Sequence, residues 1–157
     1  MRSNFASAAF AALTLGSTAC GSTGRLPVAE YFPVPTVAGQ APLPFSSAVR
    51  VGGLLILAGQ IGTDSTGRLV AGGIEPETRQ TLENIRMALL RAGATMDQVV
   101  KCTAMHADMA EWDRMNRVYV TVFRSDRLPA RSAFGSTGLA HGARVELECW
   151  AAVPATR

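Results

Sequence analysis

Apolar positions recur along the chain with two periods. Leu82, Ile85, Leu89 and Ala92 fall three and four apart, which predicts a helix over residues 75–92 with one apolar face. Pro76 suits its first turn, Glu75 and Glu77 complement the positive helix end, and Gly93 closes it. A second helix is predicted to start at Asp108, with Glu111 three residues on as in a capping box. Trp112, Met115, Tyr119 and Val122 supply its packing face. Over residues 144–153 the period drops to two. Val145, Leu147, Cys149, Ala151 and Val153 face one way, and Arg144, Glu146, Glu148 and Trp150 the other. Residues 99–105 and 131–136 read as further strands. Residues 48–51 and 54–57 flank Gly52-Gly53 as a tight hairpin, because glycine tolerates the positive φ such turns need. The second hairpin run, Leu-Leu-Ile-Leu, does not alternate and is expected to be buried on both faces.

The predicted order is β-β-α-β-α-β-β without internal repeats, an α+β fold. Two helices can cover only one face of a small sheet. The far face then carries Glu146, Glu148 and Trp150, a mixture suited to a subunit interface that contains a polar cleft; the plainer alternative is a solvated face with one stray tryptophan.

A length of 157 residues suits one domain with a real core. With 48% apolar and 17% charged residues, intrinsic disorder of the main body is excluded. The net charge of +3 comes from fourteen Arg and the single Lys101, scattered without a basic cluster, so nucleic acid is not an expected partner. At the N-terminus, Arg2, the apolar stretch from Phe5 to Leu15, and Ser17-Thr18-Ala19 before Cys20 have the layout of an export signal. A Cys after small residues also resembles a bacterial lipoprotein signal, with Cys20 as the acylated residue and Ser17 where a Leu is usual. The expected organisation is a signal peptide over 1–19, a Gly/Pro/Ser/Thr-rich tether or draped segment over 20–40, and the domain over 41–157. Pro27, Pro33 and Pro35 argue against a regular element in the tether. The expected location is the periplasm or a membrane surface, reached only through a lipid anchor. Cys102 and Cys149 read as buried thiols acting as small apolar residues, with a disulfide left open as the alternative in an oxidising compartment.

Standard catalytic motifs are absent: no Walker loop, GxGxxG, HExxH or Gly-x-Ser-x-Gly occurs. His106 and His141 lack the neighbours of a metal site and read as structural or solvent-facing. The segment Pro129-Ala130-Arg131-Ser132-Ala133 stands apart. Arg131 begins a strand after a proline-stiffened turn, and a guanidinium so placed can grip a carboxylate through two parallel hydrogen bonds. Glu146 on a neighbouring strand is expected close to it, either as a structural salt-bridge partner or as a group that orients a water at a site for a small acid.

These residues and their surroundings resemble the RidA/YjgF family of small trimeric proteins, the reactive-intermediate or imine deaminases. The resemblance is carried in order by Pro44-Phe45-Ser46-Ser47-Ala48-Val49, Leu57-Ala58-Gly59-Gln60-Ile61-Gly62 and Thr78-Arg79-Gln80-Thr81-Leu82-Glu83-Asn84. It continues through Val99-Val100-Lys101-Cys102-Thr103, Asp108-Met109, Asn116-Arg117-Val118-Tyr119, Pro129-Ala130-Arg131-Ser132 and Arg144-Val145-Glu146-Leu147-Glu148. It implies a chorismate-mutase-like fold assembled as a homotrimer, sheets facing a central barrel, with clefts between neighbours. It further implies hydrolysis of 2-imino or enamine acids to 2-keto acids and ammonia, without cofactor or metal. Arg131 would bind the substrate carboxylate and Glu146 would position the water. Gly59, Phe45, Asn116 and Ala133 would line the pocket. The sequence departs from the family pattern at Phe45 (a Tyr in the best-studied branch), Ser47 (Gln), Ala58 (Ser) and Ala133 (Cys or Thr). These losses of polar groups keep a second expectation open, a non-catalytic trimeric module that binds small carboxylates.

Overall fold

The structure is a computed structural model that describes residues 28–35 and 41–155. The expected signal segment, Cys20 and most of the expected tether lie outside the described residues. Seven strands and two helices appear in the order β1 (Ala29–Pro33), β2 (Ser46–Val51), β3 (Leu54–Leu57), β4 (Gln60–Ile61), α1 (Ile74–Arg91), β5 (Val99–His106), α2 (Trp112–Tyr119), β6 (Ala130–Gly135) and β7 (Val145–Ala152). They form one mixed sheet in the order β1-β2-β3-β7-β5-β6, with β4 also pairing β7. Every pairing is antiparallel except that of β5 with β6, whose connection crosses over through α2.

The expected α+β architecture, with both helices on one sheet face, is the one observed. Apolar side chains of α1 (Ile74, Leu82, Ile85, Leu89) and α2 (Met115) meet Leu55, Leu57, Val145 and Leu147 of the sheet in a single buried core. Gly93 terminates α1 with φ +74°, a conformation that costs glycine little. The hairpin between β2 and β3 pairs Val51 with Leu54, and only Gly52 takes a positive φ, as the first position of a type II′ turn requires.

Four local expectations are corrected. The tether contains a strand after all: Ala29–Pro33 pairs with β2, and its prolines are tolerated because β1 is a sheet edge and Pro33 sits at its irregular end. Leu54–Leu57 is not buried on both faces. Leu55 and Leu57 are buried, while Leu54 and Ile56 are half-exposed on the far face. The capping box at Asp108 does not form, since Asp108 accepts from the Ala110 N–H and Glu111 turns away to Arg144, 3.0 Å distant. That start is a 3₁₀ turn, α2 itself begins at Trp112, and Val122 lies beyond its end with Trp112 and Val122 more than one-third exposed. Cys102 and Cys149 are not free thiols. They face each other across β5 and β7, Cα atoms 4.1 Å apart, joined as a disulfide.

Candidate functional site

The functional residues expected from the sequence divide between the two faces of the sheet. Cys149 faces the helices, and Glu146, an odd number of residues away on the same strand, must face the other side. Arg131 stands in register with Cys102, itself opposite Cys149, so Arg131 shares the helix side. Within one chain Arg131 and Glu146 therefore do not meet, and the expected close approach is overturned. The reason is parity: the register of the parallel β5–β6 pair, which spacing along the chain does not reveal, decides which way Arg131 points.

Glu146 lines a cavity of about 590 Å³ together with Phe45, Ser47, Gly59, Gln60, Ile61 and His141. The cavity also takes Val34, Pro35 and Leu43 as apolar walls and Thr63, Thr66 and Arg91 as polar ones, so its lining is mixed. Gly59 leaves room for the Glu146 carboxylate, which a Cβ at that position would push aside. Burial, and to a lesser degree the neighbouring Glu148, pushes the Glu146 carboxyl above the ordinary carboxylate range. The Ser47 hydroxyl in this lining is engaged, donating to the carbonyls of Phe32 and Pro33 at 3.1 Å.

Two residues whose contribution the sequence reading missed hold this half together. Glu77, read only as a charge at the helix end, is buried. One of its carboxylate oxygens accepts from the Arg144 N–H at 2.6 Å and the Val145 N–H at 3.3 Å, directly before Glu146. Asn84 donates from its side-chain amide to the carbonyls of Ile61 and Thr63, both at 2.9 Å, and so ties β4 to α1. The sequence signal was faint: a carboxylate and an amide seven apart on one helical face, the same spacing that surface residues adopt.

The other half lies against α2. The Arg131 guanidinium rests over the rings of Tyr119 and Trp112, and Asn116 sits between those two on the helix. The Asn116 Oδ1, the Tyr119 hydroxyl and both ring nitrogens of His106 are buried without a hydrogen-bond partner. Burial raises the Tyr119 phenol to about 12. Burial first, and then the Arg131 charge, holds the His106 imidazole below its ordinary range. Ala133, next to Arg131 on the same side of β6, packs against the core and offers no polar group. Arg131, Asn116 and Ala133 thus form one group, and Glu146, Gly59 and Phe45 another.

Comparison with known proteins fits this geometry. A family model described as Endoribonuclease L-PSP matches residues 36–153. The chain is 42% identical over 106 residues to the 2-iminobutanoate/2-iminopropanoate deaminase of Mus musculus, covering 67% of this chain and 78% of that protein. The protein of the same name from Homo sapiens is 40% identical, over 67% of this chain and 77% of its own length. Among solved structures, a Rid-family protein of unknown function from Yersinia pestis superposes with a TM-score of 0.72 at 35% identity, covering 80% of this chain and 100% of that one. A putative endoribonuclease from Thermotoga maritima superposes with a TM-score of 0.70 at 35% identity, covering 78% and 97%. By this fold and these matches, the chain belongs to the RidA/YjgF (endoribonuclease L-PSP) family, whose curated members include the 2-iminobutanoate/2-iminopropanoate deaminases.

Proposed function

We propose that this chain hydrolyses 2-imino and enamine acids to 2-keto acids and ammonia, at clefts between the protomers of a homotrimer. The observation that carries the proposal is the division itself. A guanidinium over aromatic rings, with no ion pair among the described residues, and a partly buried carboxyl with a raised pKa lie on opposite faces of one sheet. A second copy of the chain brings the Arg131 of one protomer to the Glu146 of its neighbour, with the exposed Trp150 and Phe134 rings and half-buried Ile56 as apolar surface for the contact.

The chemistry asks little of the protein. Arg131 holds the substrate carboxylate through paired N–H donors. The C2 carbon of an iminium is already electrophilic, so Glu146 need only take a proton from a water as that water's oxygen bonds to C2. Returning that proton to nitrogen makes an ammonio leaving group; as the C–N bond breaks, the C2 hydroxyl becomes the carbonyl and gives its proton to the departing ammonia, so the keto acid and ammonium are the products. The raised pKa of Glu146 makes it a stronger base than an exposed carboxylate. Val34, Leu43, Phe45 and Ile61 in the cavity wall give a short alkyl chain, such as that of 2-iminobutanoate, apolar surface to rest on.

The absence of polar groups at Phe45, Ala58 and Ala133 favours the second reading, a trimeric module that binds small carboxylates without turnover. A subunit-mixing experiment separates the two. Arg131→Ala and Glu146→Gln proteins are each expected to release no ammonia from 2-iminobutanoate above background. Unfolded together and refolded, about a quarter of random clefts pair an intact Arg131 with an intact Glu146, and activity should return to that extent. No recovery, with trimers formed, overturns the shared cleft. An inactive unaltered protein that binds 2-oxobutanoate selects the second reading.

We further propose that the domain folds in an oxidising compartment, as expected of an exported protein. The buried Cys102–Cys149 disulfide supports this, since such links persist outside reducing cytosol. Protein recovered from its native host under thiol-trapping conditions should carry both cysteines unlabelled; labelling of both contradicts the proposal. Acylation of Cys20 belongs to the same expectation, and intact mass of the mature protein tests it.

A further inference from the structure

An arginine fixed by a carboxylate spends its N–H donors on that partner. Arg131 is held differently. Its Cζ lies 4.6 Å from the centroid of the Tyr119 ring and 5.7 Å from that of Trp112. A ring face attracts a cation through its quadrupole and accepts no conventional hydrogen bond from it, so the donors of the guanidinium fork stay free. Trp112, Asn116 and Tyr119 are spaced i, i+4 and i+7 and form one stripe of α2, which points both rings at β6. The nearby carboxylate that could have captured Arg131 is occupied elsewhere, because Glu111 pairs with Arg144 at 3.0 Å and Arg114 at 3.8 Å. The buried polar atoms left without a partner around Arg131 belong to the Asn116 amide, the Tyr119 phenol and the His106 imidazole, none of them anionic.

We infer that Trp112 and Tyr119 form an aromatic clamp that positions the Arg131 guanidinium for an incoming carboxylate while leaving its hydrogen-bond donors unspent. The inference rests on the role of Arg131 proposed above. Both aromatic residues act through Arg131 and are positioning residues, not catalytic ones. The clamp assigns the exposed Trp112 a task that its incomplete burial would not otherwise explain. It also favours anions that present two coplanar oxygens to the unspent donors of the guanidinium fork.

The test uses the full-length protein, with 2-oxobutanoate as a stable carboxylate probe in calorimetric titration and 2-iminobutanoate as substrate. Trp112→Leu is expected to weaken 2-oxobutanoate binding roughly three- to thirtyfold and to raise KM by the same factor with little change in kcat. Trp112→Phe and Tyr119→Phe, which keep a ring face, should stay within about twofold of the unaltered protein. Tyr119→Leu removes a buried ring and need not fold, so the judgement is placed on Trp112. Affinity and KM unchanged in Trp112→Leu overturn the clamp. So does a Trp112→Phe protein as weak as the Leu variant, or an Arg131→Ala protein that binds 2-oxobutanoate normally. Binding that depends on Arg131 and Trp112 without ammonia release would sink the deaminase reading and leave the clamp standing.

Discussion

The two faces of the sheet hold their functional groups by opposite means. On the helix side a permanent cation rests on aromatic rings, surrounded by neutral groups that lack partners. On the far side an ionisable acid presses against a glycine, on a strand anchored by hydrogen bonds from backbone N–H groups to Glu77. The difference follows from the chemistry of the two groups. A guanidinium cannot lose its proton, so it can be stacked in a half-buried place and remain charged. A carboxyl can be neutralised, and partial burial shifts its titration instead of breaking the fold. In the proposed reaction the cation supplies a fixed grip and the acid a transferable proton, so each face suits its own task.

The largest expected effect breaks the cation side alone. Arg131→Ala should lower kcat/KM for 2-iminobutanoate by about a thousandfold, as loss of a buried charge-assisted pair does. The circular dichroism spectrum should be unchanged and the melting temperature should fall only slightly, because within the described chain the guanidinium makes no hydrogen bond or ion pair and only its contact with the Trp112 and Tyr119 rings is lost. Next in size is Glu77→Ala, which strikes the acid side through stability. Two buried N–H groups lose their acceptor, and chemical denaturation should report about 3 kcal/mol of destabilisation. A loss below about 1 kcal/mol would show that water replaces the carboxylate there. Gly59→Ala sharpens the contrast further. The new methyl group must displace the Glu146 carboxyl, so activity should fall roughly tenfold to a hundredfold with 2-oxobutanoate affinity at the Arg131 end retained.

The smallest effect concerns pH. A carboxyl with a pKa raised on folding lends stability while protonated and loses it as pH rises through the raised value. Glu146→Gln should therefore leave melting temperature unchanged well below the ordinary carboxyl range and raise it relative to the unaltered protein at neutral pH. Equal shifts at both pH values would place the cause in packing instead of titration.

Much of this fold was legible in the sequence because its signals are local. The 3–4 spacing of Leu82, Ile85 and Leu89 and the alternation from Val145 to Val153 report directly which side of each element is buried. Strand β4 escaped notice because two residues, Gln60 and Ile61, are too few to show a period. Strand β1 was hidden by prolines that an edge strand tolerates. The capping box failed for a long-range reason, since Arg144, remote in sequence, engages Glu111. The site shows the same limit. Motif order identified Arg131, Glu146, Gly59 and Asn116, but which face each occupies depends on the β5–β6 and β5–β7 registers, properties of paired strands and not of any one segment.

The bond between Cys102 and Cys149 bears on that register. A slip of β7 by one position along β5 would rotate Glu146 into the hydrocarbon beneath α1 and turn Leu147 outward. Hydrogen bonds alone permit such a shift at the cost of repacking, whereas a covalent staple at the middle of the ladder forbids it. While that staple is closed, the acid is locked to its own side of the sheet, and the register that separates the two faces is held by a single sulfur–sulfur link.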